Sequence, residues 1–200
     1  MQKKKENLEI QILEKATDEF LKKGYNKASL RLIARECNIT PGNLYNYFTG
    51  KEDLYINVTL NYNKERLDFL FSQIDNEDTT YNKLYKYAEG YYNYAIKNIE
   101  KFRLFMHYEL NGLNEKNFSE NTKNRLCDER GLYHTKFISI IKNGIEQGEI
   151  SKEISPSNFI RFYTMSVRVA LNETVLLKYG DKDFYFGYIN FLLQNVKRKI

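Results

Sequence analysis

The sequence predicts an all-α protein, and three observations carry that prediction. Only 2 of its 200 residues are proline, too few for a turn-rich β fold. Apolar residues recur at helical spacing in one segment after another, and no stretch alternates as a half-buried strand would. The segments are bounded by residues that start helices (Ser29, Thr40-Pro41, Ser155-Pro156) or stop them (Gly24, Asn38, Gly50, Gly148). The expected architecture is an N-terminal three-helix helix-turn-helix domain followed by a larger helical bundle.

From Leu8 to Lys23 the residues Ile12, Leu13, Ala16 and Phe20 share one face, and Gly24-Tyr25 has the form of a helix stop. Ser29 caps a second helix with Leu30, Ile33, Ala34 and Cys37 inward. Asn38, which tolerates the left-handed conformation, breaks it. A very short third helix opens at Thr40-Pro41, buries Leu44 and Phe48, and ends at Thr49-Gly50. Three helices in about 40 residues, the last two joined by a tight turn, describe a helix-turn-helix unit.

A fourth helix is expected over about 51–74, with Leu54, Val58, Leu67 and Leu70 inward, and a polar loop over 75–80. A helix over 81–99 carries Tyr81, Leu84, Ala88, Tyr91 and Ala95 on one face, and a short one follows around 102–110. The stretch 112–124 is the most polar in the chain and reads as a loop or a frayed helix start. Leu126, Tyr133, Phe137, Ile141 and Ile145 mark a helix stopped near Gly148. Another runs from Ser155-Pro156 to about Gly180, and 183–199 forms the last.

The helix after Pro156 confines Arg161, Arg168 and Asn172 to one stripe and is apolar elsewhere. The last helix is similar, with Phe184, Tyr188, Ile189, Phe191, Leu192 and Val196. Apolar arcs that wide need cover on more than one side. A homodimer through these last two helices supplies it, with Leu171 and Leu192 as candidate partner-facing positions.

Composition narrows the function class without fixing it. A net charge of +5 and a pI near 8.9 permit a nucleic-acid partner. Residues 1–55, however, hold ten Lys/Arg against eight Asp/Glu, so bulk charge does not single out a DNA-binding half. Cys37 and Cys127 are far apart, without CxxC spacing, and read as reduced core thiols of a cytoplasmic protein. The basic start lacks the apolar run of a signal peptide, and 184–193, interrupted by Gly187 and Asn190, is too short to span a bilayer. A soluble protein without a membrane partner is expected. His107 and His134 are the only histidines, with no HExxH, Gly-rich phosphate loop or GxSxG, so no enzyme, metal or cofactor is expected.

From Ser29 to Leu54 the sequence reads SLRLIARECNITPGNLYNYFTGKEDL and resembles the tetracycline-repressor (TetR) family of bacterial regulators. The matching elements are Ile33-Ala34, Leu44-Tyr45, Tyr47-Phe48 and Lys51-Glu52, with Phe20 to Tyr25 upstream. Asn38 stands where the family usually has Gly, and Cys37 where it usually has Ala. The resemblance implies a DNA-binding domain over 6–66 and an effector-binding and dimerisation domain over 67–200. It implies a transcriptional regulator, expected to be a repressor released from a palindromic operator of double-stranded DNA by a small-molecule ligand. On the same basis Arg31, Asn43, Tyr45 and Asn46 are candidates to touch bases, and Thr40, Tyr47 and Lys51 to hold phosphates.

The residues themselves agree. Gly42 removes bulk where a short helix would meet the major groove, and Asn43 and Asn46 carry amides able to pair with base edges. Tyr45 and Tyr47 should face outward, because Leu44 and Phe48 occupy the inner face. Lys3 to Lys5 are either a solvated tail or an arm adding phosphate contacts. In the second domain Tyr87, Tyr91, Tyr94, Phe102, Phe105, Met106, Phe137 and Tyr163 are candidates to line an effector cavity, each of them otherwise a plain core residue. The number of tyrosines over 81–99 favours a site, since each polar tip needs a partner, and planar aromatic or cationic ligands would suit it. Two other classes fit parts of the pattern: a DNA-binding protein of this fold without an effector, and a helical protein–protein adaptor.

Overall fold

The computed structural model describes residues 2–111 and 115–195. Its elements are α1 (Gln2–Lys27), α2 (Leu30–Glu36), α3 (Pro41–Leu44), α4 (Lys51–Ile74), α5 (Thr80–Lys97), α6 (Ile99–Asn111), α7 (Glu120–Glu146), α8 (Pro156–Leu171) and α9 (Lys182–Gln194). A 3-10 turn, Glu115–Asn117, precedes α7, and a π-helical turn, Asn172–Leu177, follows α8. The chain packs as two units, Met1–Lys64 with Glu100–Asp128 and Glu65–Ile99 with Glu129–Ile200. Packing thus assigns residues 100–128 to the N-terminal unit, whereas the boundaries 6–66 and 67–200 divide the chain at a single point.

The first unit is built as its local signals dictate. Ile12, Ala16 and Phe20 of α1 are fully buried, with Ile33, Ala34, Leu44, Phe48 and Leu54 in the same core. Gly24 adopts φ 71°, ψ 167°, a backbone state that only glycine enters readily. Nothing lies within 4 Å of where its Cβ would be, so the constraint is conformational rather than one of space. Ser29 Oγ accepts the Leu32 N–H at 3.4 Å, and Thr40 Oγ1 accepts the Asn43 N–H at 3.1 Å, with Pro41 opening α3. Asn38 makes the intervening turn at φ 55°. The basic start is the first turn of α1 rather than a tail, although the side chains of Lys3 and Lys4 lie outside the described residues. Cys37 is buried, and burial pushes its thiol up from the ordinary value. Cys127 is exposed on α7, against the expectation of a core thiol.

The polar stretch before Leu126 is helical from Glu120. Its polar residues are occupied inside the first unit. The fully buried Asp53 carboxylate accepts the Thr49 N–H at 2.9 Å, the Ser119 N–H at 3.1 Å and the Ser119 hydroxyl at 3.3 Å. Ser119 in turn caps α7 by accepting the Thr122 N–H at 3.2 Å. Further along the two helices, the Asn57 amide donates to Thr122 Oγ1 at 2.6 Å, and Arg125 donates to Asn57 Oδ1 and to Asn61 Oδ1, the latter at 2.8 Å. Three polar rungs therefore bind the start of α4 to the start of α7.

In the second unit α5 buries Leu84, Ala88, Tyr91 and Ala95, the face read from spacing apart from the half-buried Tyr81, and it buries Tyr87 as well. Tyr163 of α8 donates its hydroxyl to the Leu84 carbonyl, and Tyr185 of α9 donates to the Ala88 carbonyl at 2.8 Å. At Gly144 of α7 a Cβ would stand 2.4 Å from Thr80 Oγ1, so the absent side chain sets the approach to α5. Gly148, at φ 77°, ends α7 by letting the Glu149 and Ile150 N–H groups return to the Gly144 carbonyl, at 2.8 and 3.1 Å.

The helix expected to run to Gly180 ends as an α-helix at Leu171, passes through the π turn and stops at Lys178, which is left-handed at φ 62°. The last helix starts at Lys182 with Asp181 as its cap, and Val196 lies outside the described residues. Leu171 is fully buried in its own unit and does not face outward, contrary to the sequence expectation, while Leu192 is half-buried. The exposed apolar residues are instead Phe162, Met165 and Val169 on α8 and Phe184 and Phe191 on α9.

Two substitutions test these packing assignments. Asp53→Asn should destabilise the protein by roughly 1–3 kcal/mol, because an amide N–H would face donors. Gly144→Ala should cost about 1–3 kcal/mol through overpacking against Thr80. Urea unfolding with the m-value checked is the measurement, and an unchanged midpoint in either variant would refute the contact concerned.

Candidate nucleic-acid interface and aromatic core

The residues expected on a DNA-facing surface gather on α2, α3 and the segment leading into α4. Arg31, Thr40, Gly42, Tyr45 and Asn46 are exposed, and Asn43 is half-buried. Leu44 and Phe48 are buried, so the inner and outer sides of α3 fall where the spacing put them. Tyr45 is 55% exposed, a large ring without a covering partner inside its unit. Tyr47 differs: it is half-buried and packs against the core cluster, with the Lys5 ammonium 5.8 Å from its ring centroid. Tyr47 thus combines core packing with an accessible edge. Gly42 has only Thr40 Oγ1 near its missing Cβ, at 3.9 Å, so the chain itself does not demand glycine there.

Asn46 Nδ2 donates to Asn43 Oδ1 at 3.1 Å, joining the two amides expected to read bases. Lys51 is less free than its assignment to phosphate suggested. Its ammonium donates to the Asn26 carbonyl at 2.9 Å and lies 5.1 Å from the Tyr25 ring centroid. Burial lowers its pKa below the usual lysine value, with the Glu19 carboxylate opposing. Thr49, Gly50, Lys51, Glu52, Lys116, Asn117 and Phe118 line a recess of about 440 Å³ beside this corner. The segment 115–119 and the Asp53 joint were not anticipated as supports of the site. The signal was present, since a polar run that retains Phe118 and Leu126 can be a buried helix start as well as a loop.

The eight residues proposed for an effector cavity divide between the units. Phe102, Phe105 and Met106 are buried in the first. In the second, Tyr87 meets Phe137 at 4.8 Å between ring centroids and Tyr91 and Tyr163 at 6.2 Å each. Tyr94, half-buried, lies against Phe69 at 5.3 Å. The structure therefore brings Tyr87, Tyr91, Phe137 and Tyr163 together as an aromatic cluster. Phe71 belongs to it as well, 4.8 Å from Phe137 and 5.7 Å from Tyr133. The buried Arg66 guanidinium sits 4.1 Å from the Tyr91 ring centroid, so the cation on that ring is the chain's own. Tyr133 donates to Asp68 Oδ1 at 2.8 Å, and burial followed by that bond raises its phenol above the ordinary value.

The two histidines are apart: His107 Nδ1 is 3.4 Å from Tyr55 Oη, and His134 Nε2 is 3.2 Å from Ser157 Oγ. Among the described residues no three His, Cys, Asp or Glu side chains gather as a metal site, and no helix is long and apolar enough to cross a membrane.

An exposed turn-and-helix pair on a buried three-helix core is the form of a helix-turn-helix DNA-binding domain. The family model described as bacterial regulatory proteins, tetR family, matches residues 12–58. A Bacillus subtilis (strain 168) protein described as an uncharacterized HTH-type transcriptional regulator, YuxN, is 47% identical over 60 residues. That match covers 30% of this chain and 19% of the relative. Over nearly the whole chain the fold is similar to that of the transcriptional regulator FadR from Bacillus subtilis, solved in complex with stearoyl-CoA. That likeness has a TM-score of 0.70 at 18% identity and covers 96% of this chain and 98% of the other. The fatty acid degradation regulator FadR from Bacillus halodurans gives 0.68 at 16%, over 93% and 92%. Over residues 12–58 the chain is similar to the tetR family of bacterial regulatory proteins.

Lys51→Ala should lower stability by roughly 1 kcal/mol, because it removes the donor to the Asn26 carbonyl. Arg31→Ala, at an exposed position, should leave stability within about 0.5 kcal/mol of the parent. Urea titration compares them, and equal midpoints would show that Lys51 has no structural part.

Proposed function

We propose that the protein is a DNA-binding transcriptional regulator, a repressor released from a palindromic operator when a small molecule binds its second unit. The observation that carries the DNA-binding part is the outward face of α3, where Gly42, Tyr45 and Asn46 are exposed while Leu44 and Phe48 are buried. Side chains so placed can reach base edges in a major groove. Arg31 and Asn43 complete the base-reading set. Thr40, Tyr47 and Lys51 hold phosphates, with Lys51 dividing its three donors between the Asn26 carbonyl and the DNA.

Dimerisation is proposed through α8 and α9. Phe162, Met165 and Val169 follow one another at helical spacing, and Phe184 and Phe191 are two turns apart. Such a paired stripe suits a four-helix contact between two copies. In a two-fold dimer the recognition helices then need a separation of about 34–36 Å, one turn of B-DNA, or somewhat more on unwound DNA.

The effector is proposed to act on the second unit, whose aromatic cluster includes Tyr87, Tyr91, Phe137 and Tyr163. Helix α4 gives residues to both units and is proposed as the lever, with α7, which does the same, bound to it by the Asp53 rungs. The similarity of fold to a regulator holding stearoyl-CoA makes a long-chain acyl-CoA the first compound to test. Planar aromatic and cationic compounds follow, although on Tyr91 a cation would compete with Arg66.

Phe191→Glu and Val169→Glu should dissociate the dimer and abolish operator binding together, whereas both parent and variants should remain helical. Analytical sedimentation decides it, and a parent that is monomeric at micromolar concentration removes the dimer from the proposal. For the switch, linkage requires operator DNA to weaken effector binding by the factor by which effector weakens operator binding, typically 1–3 kcal/mol. Fluorescence titrations in both directions measure the two factors. If no compound of these classes altered operator affinity, the protein would be a DNA-binding regulator without this type of effector.

A further inference from the structure

We infer that Asn43 and Asn46 read DNA as one coupled unit of fixed polarity, in which Asn46 selects adenine and Asn43 selects a base with an acceptor edge. This inference rests on the reading of α3 as the DNA-facing element. The bond from Asn46 Nδ2 to Asn43 Oδ1, at 3.1 Å, assigns each amide a different remaining valence. Asn46 keeps Oδ1 and one N–H, an acceptor and a donor side by side. Adenine offers the complement in the major groove, the N6 amino donor and the N7 acceptor. Asn43 has its carbonyl engaged and presents N–H groups. Those fit the O6 and N7 acceptors of guanine, or O4 of thymine, whereas an amino group would meet only the second lone pair of a carbonyl that already accepts from Asn46.

Local geometry favours such a unit. Asn43 and Asn46 are three residues apart, the spacing at which neighbouring helical side chains meet. The Asn43 backbone N–H is held by Thr40 Oγ1, and the Asn46 backbone N–H returns to the Asn43 carbonyl at 3.1 Å, so both Cα positions are set before any ligand arrives. Asn46 is exposed and Asn43 half-buried, and the bond between their side chains lies at the surface. Each residue therefore orients the other, and neither base preference should survive unaltered when the bond between the two amides is removed.

The test is selection from a random-sequence duplex library by the full-length protein and its variants, read by sequencing. The parent should enrich adenine at one position of each half-site and guanine or thymine at another. Asn46→Ala should erase the adenine preference and also free Asn43 Oδ1, moving the second position toward adenine by about tenfold. Asn43→Asp keeps an acceptor for Asn46, so adenine should persist while the second position turns to cytosine, whose N4 amino group donates. Asn43→Ala should reduce both preferences. Circular dichroism and sedimentation check that the variants keep the parent's helix content and assembly. The inference is overturned if Asn46→Ala and Asn43→Ala each change only their own base position. It is also overturned if adenine is lost on changing Asn43 and retained on changing Asn46. A folded parent that enriches no sequence would instead refute the DNA-binding reading, and this inference with it.

Discussion

One buried carboxylate organises the first unit. Helix N-termini leave N–H groups without intrahelical partners, and a negative charge in the first turn suits the helix dipole. Asp53 does this for its own helix through the Thr49 N–H and reaches the residue that caps α7 through the Ser119 N–H and hydroxyl. Two helix starts thereby share one acceptor. The importance of this joint follows from the brevity of α3, which at four residues cannot be stable in isolation. Its position is imposed from both ends: Thr40 and Pro41 fix its entry, Leu44 and Phe48 anchor its inner face, and Thr49 is tied to Asp53 at its exit. The Thr49 hydroxyl adds a bond to the Asn117 carbonyl at 2.7 Å, so the segment before α7 braces the same exit. So short a helix keeps its exposed face in a set position because the residues at its entry and exit are bonded to their neighbours.

Much of this unit could be read from the chain because its signals are local. Ser29, Asn38, Thr40-Pro41 and Gly24 act within a few residues of themselves, and the structure uses each as a cap or turn. The start of α7 could not be read that way. Asn117, Ser119, Thr122 and Arg125 are polar because their partners Glu52, Asp53, Asn57 and Asn61 are polar. A hydropathy pattern cannot distinguish a residue bonded to protein from one bonded to water. The same limit explains Tyr47, whose ring is partly core although the inner face of α3 was already occupied. It also explains Leu171: an apolar arc announces that cover is needed without saying which part the molecule covers itself. The candidate base-reading and phosphate-holding assignments rest on the family resemblance, and spacing alone yields only an exposed face.

The second unit shows why tyrosine content was an ambiguous signal. Tyr163 and Tyr185 are core residues whose hydroxyls bond to main-chain carbonyls, and Tyr133 bonds to Asp68. A buried phenol therefore need not await a ligand, because the protein can complete it. Tyr91, with the Arg66 guanidinium on its ring, combines aromatic packing with a buried charge, and Arg66 carries no mark in the periodicity of α4 beyond its lying one residue before Leu67. Charged residues inside a helical bundle become legible only when the faces are assembled.

The bonds from Tyr163 and Tyr185 to α5 have a mechanical meaning. Leu84 and Ala88 are one helical turn apart, and each carbonyl is claimed by a phenol from a different helix. Sliding α8 or α9 along α5 by part of a turn, whose full pitch is about 5.4 Å, would pull that helix's buried phenol off its carbonyl. Small axial slips are resisted for the same reason, whereas a tilt pivoting near these bonds preserves them. Helices α5, α8 and α9 are thus pinned in register like a lock with two bolts, and a tilt about these bonds is the displacement that leaves both intact.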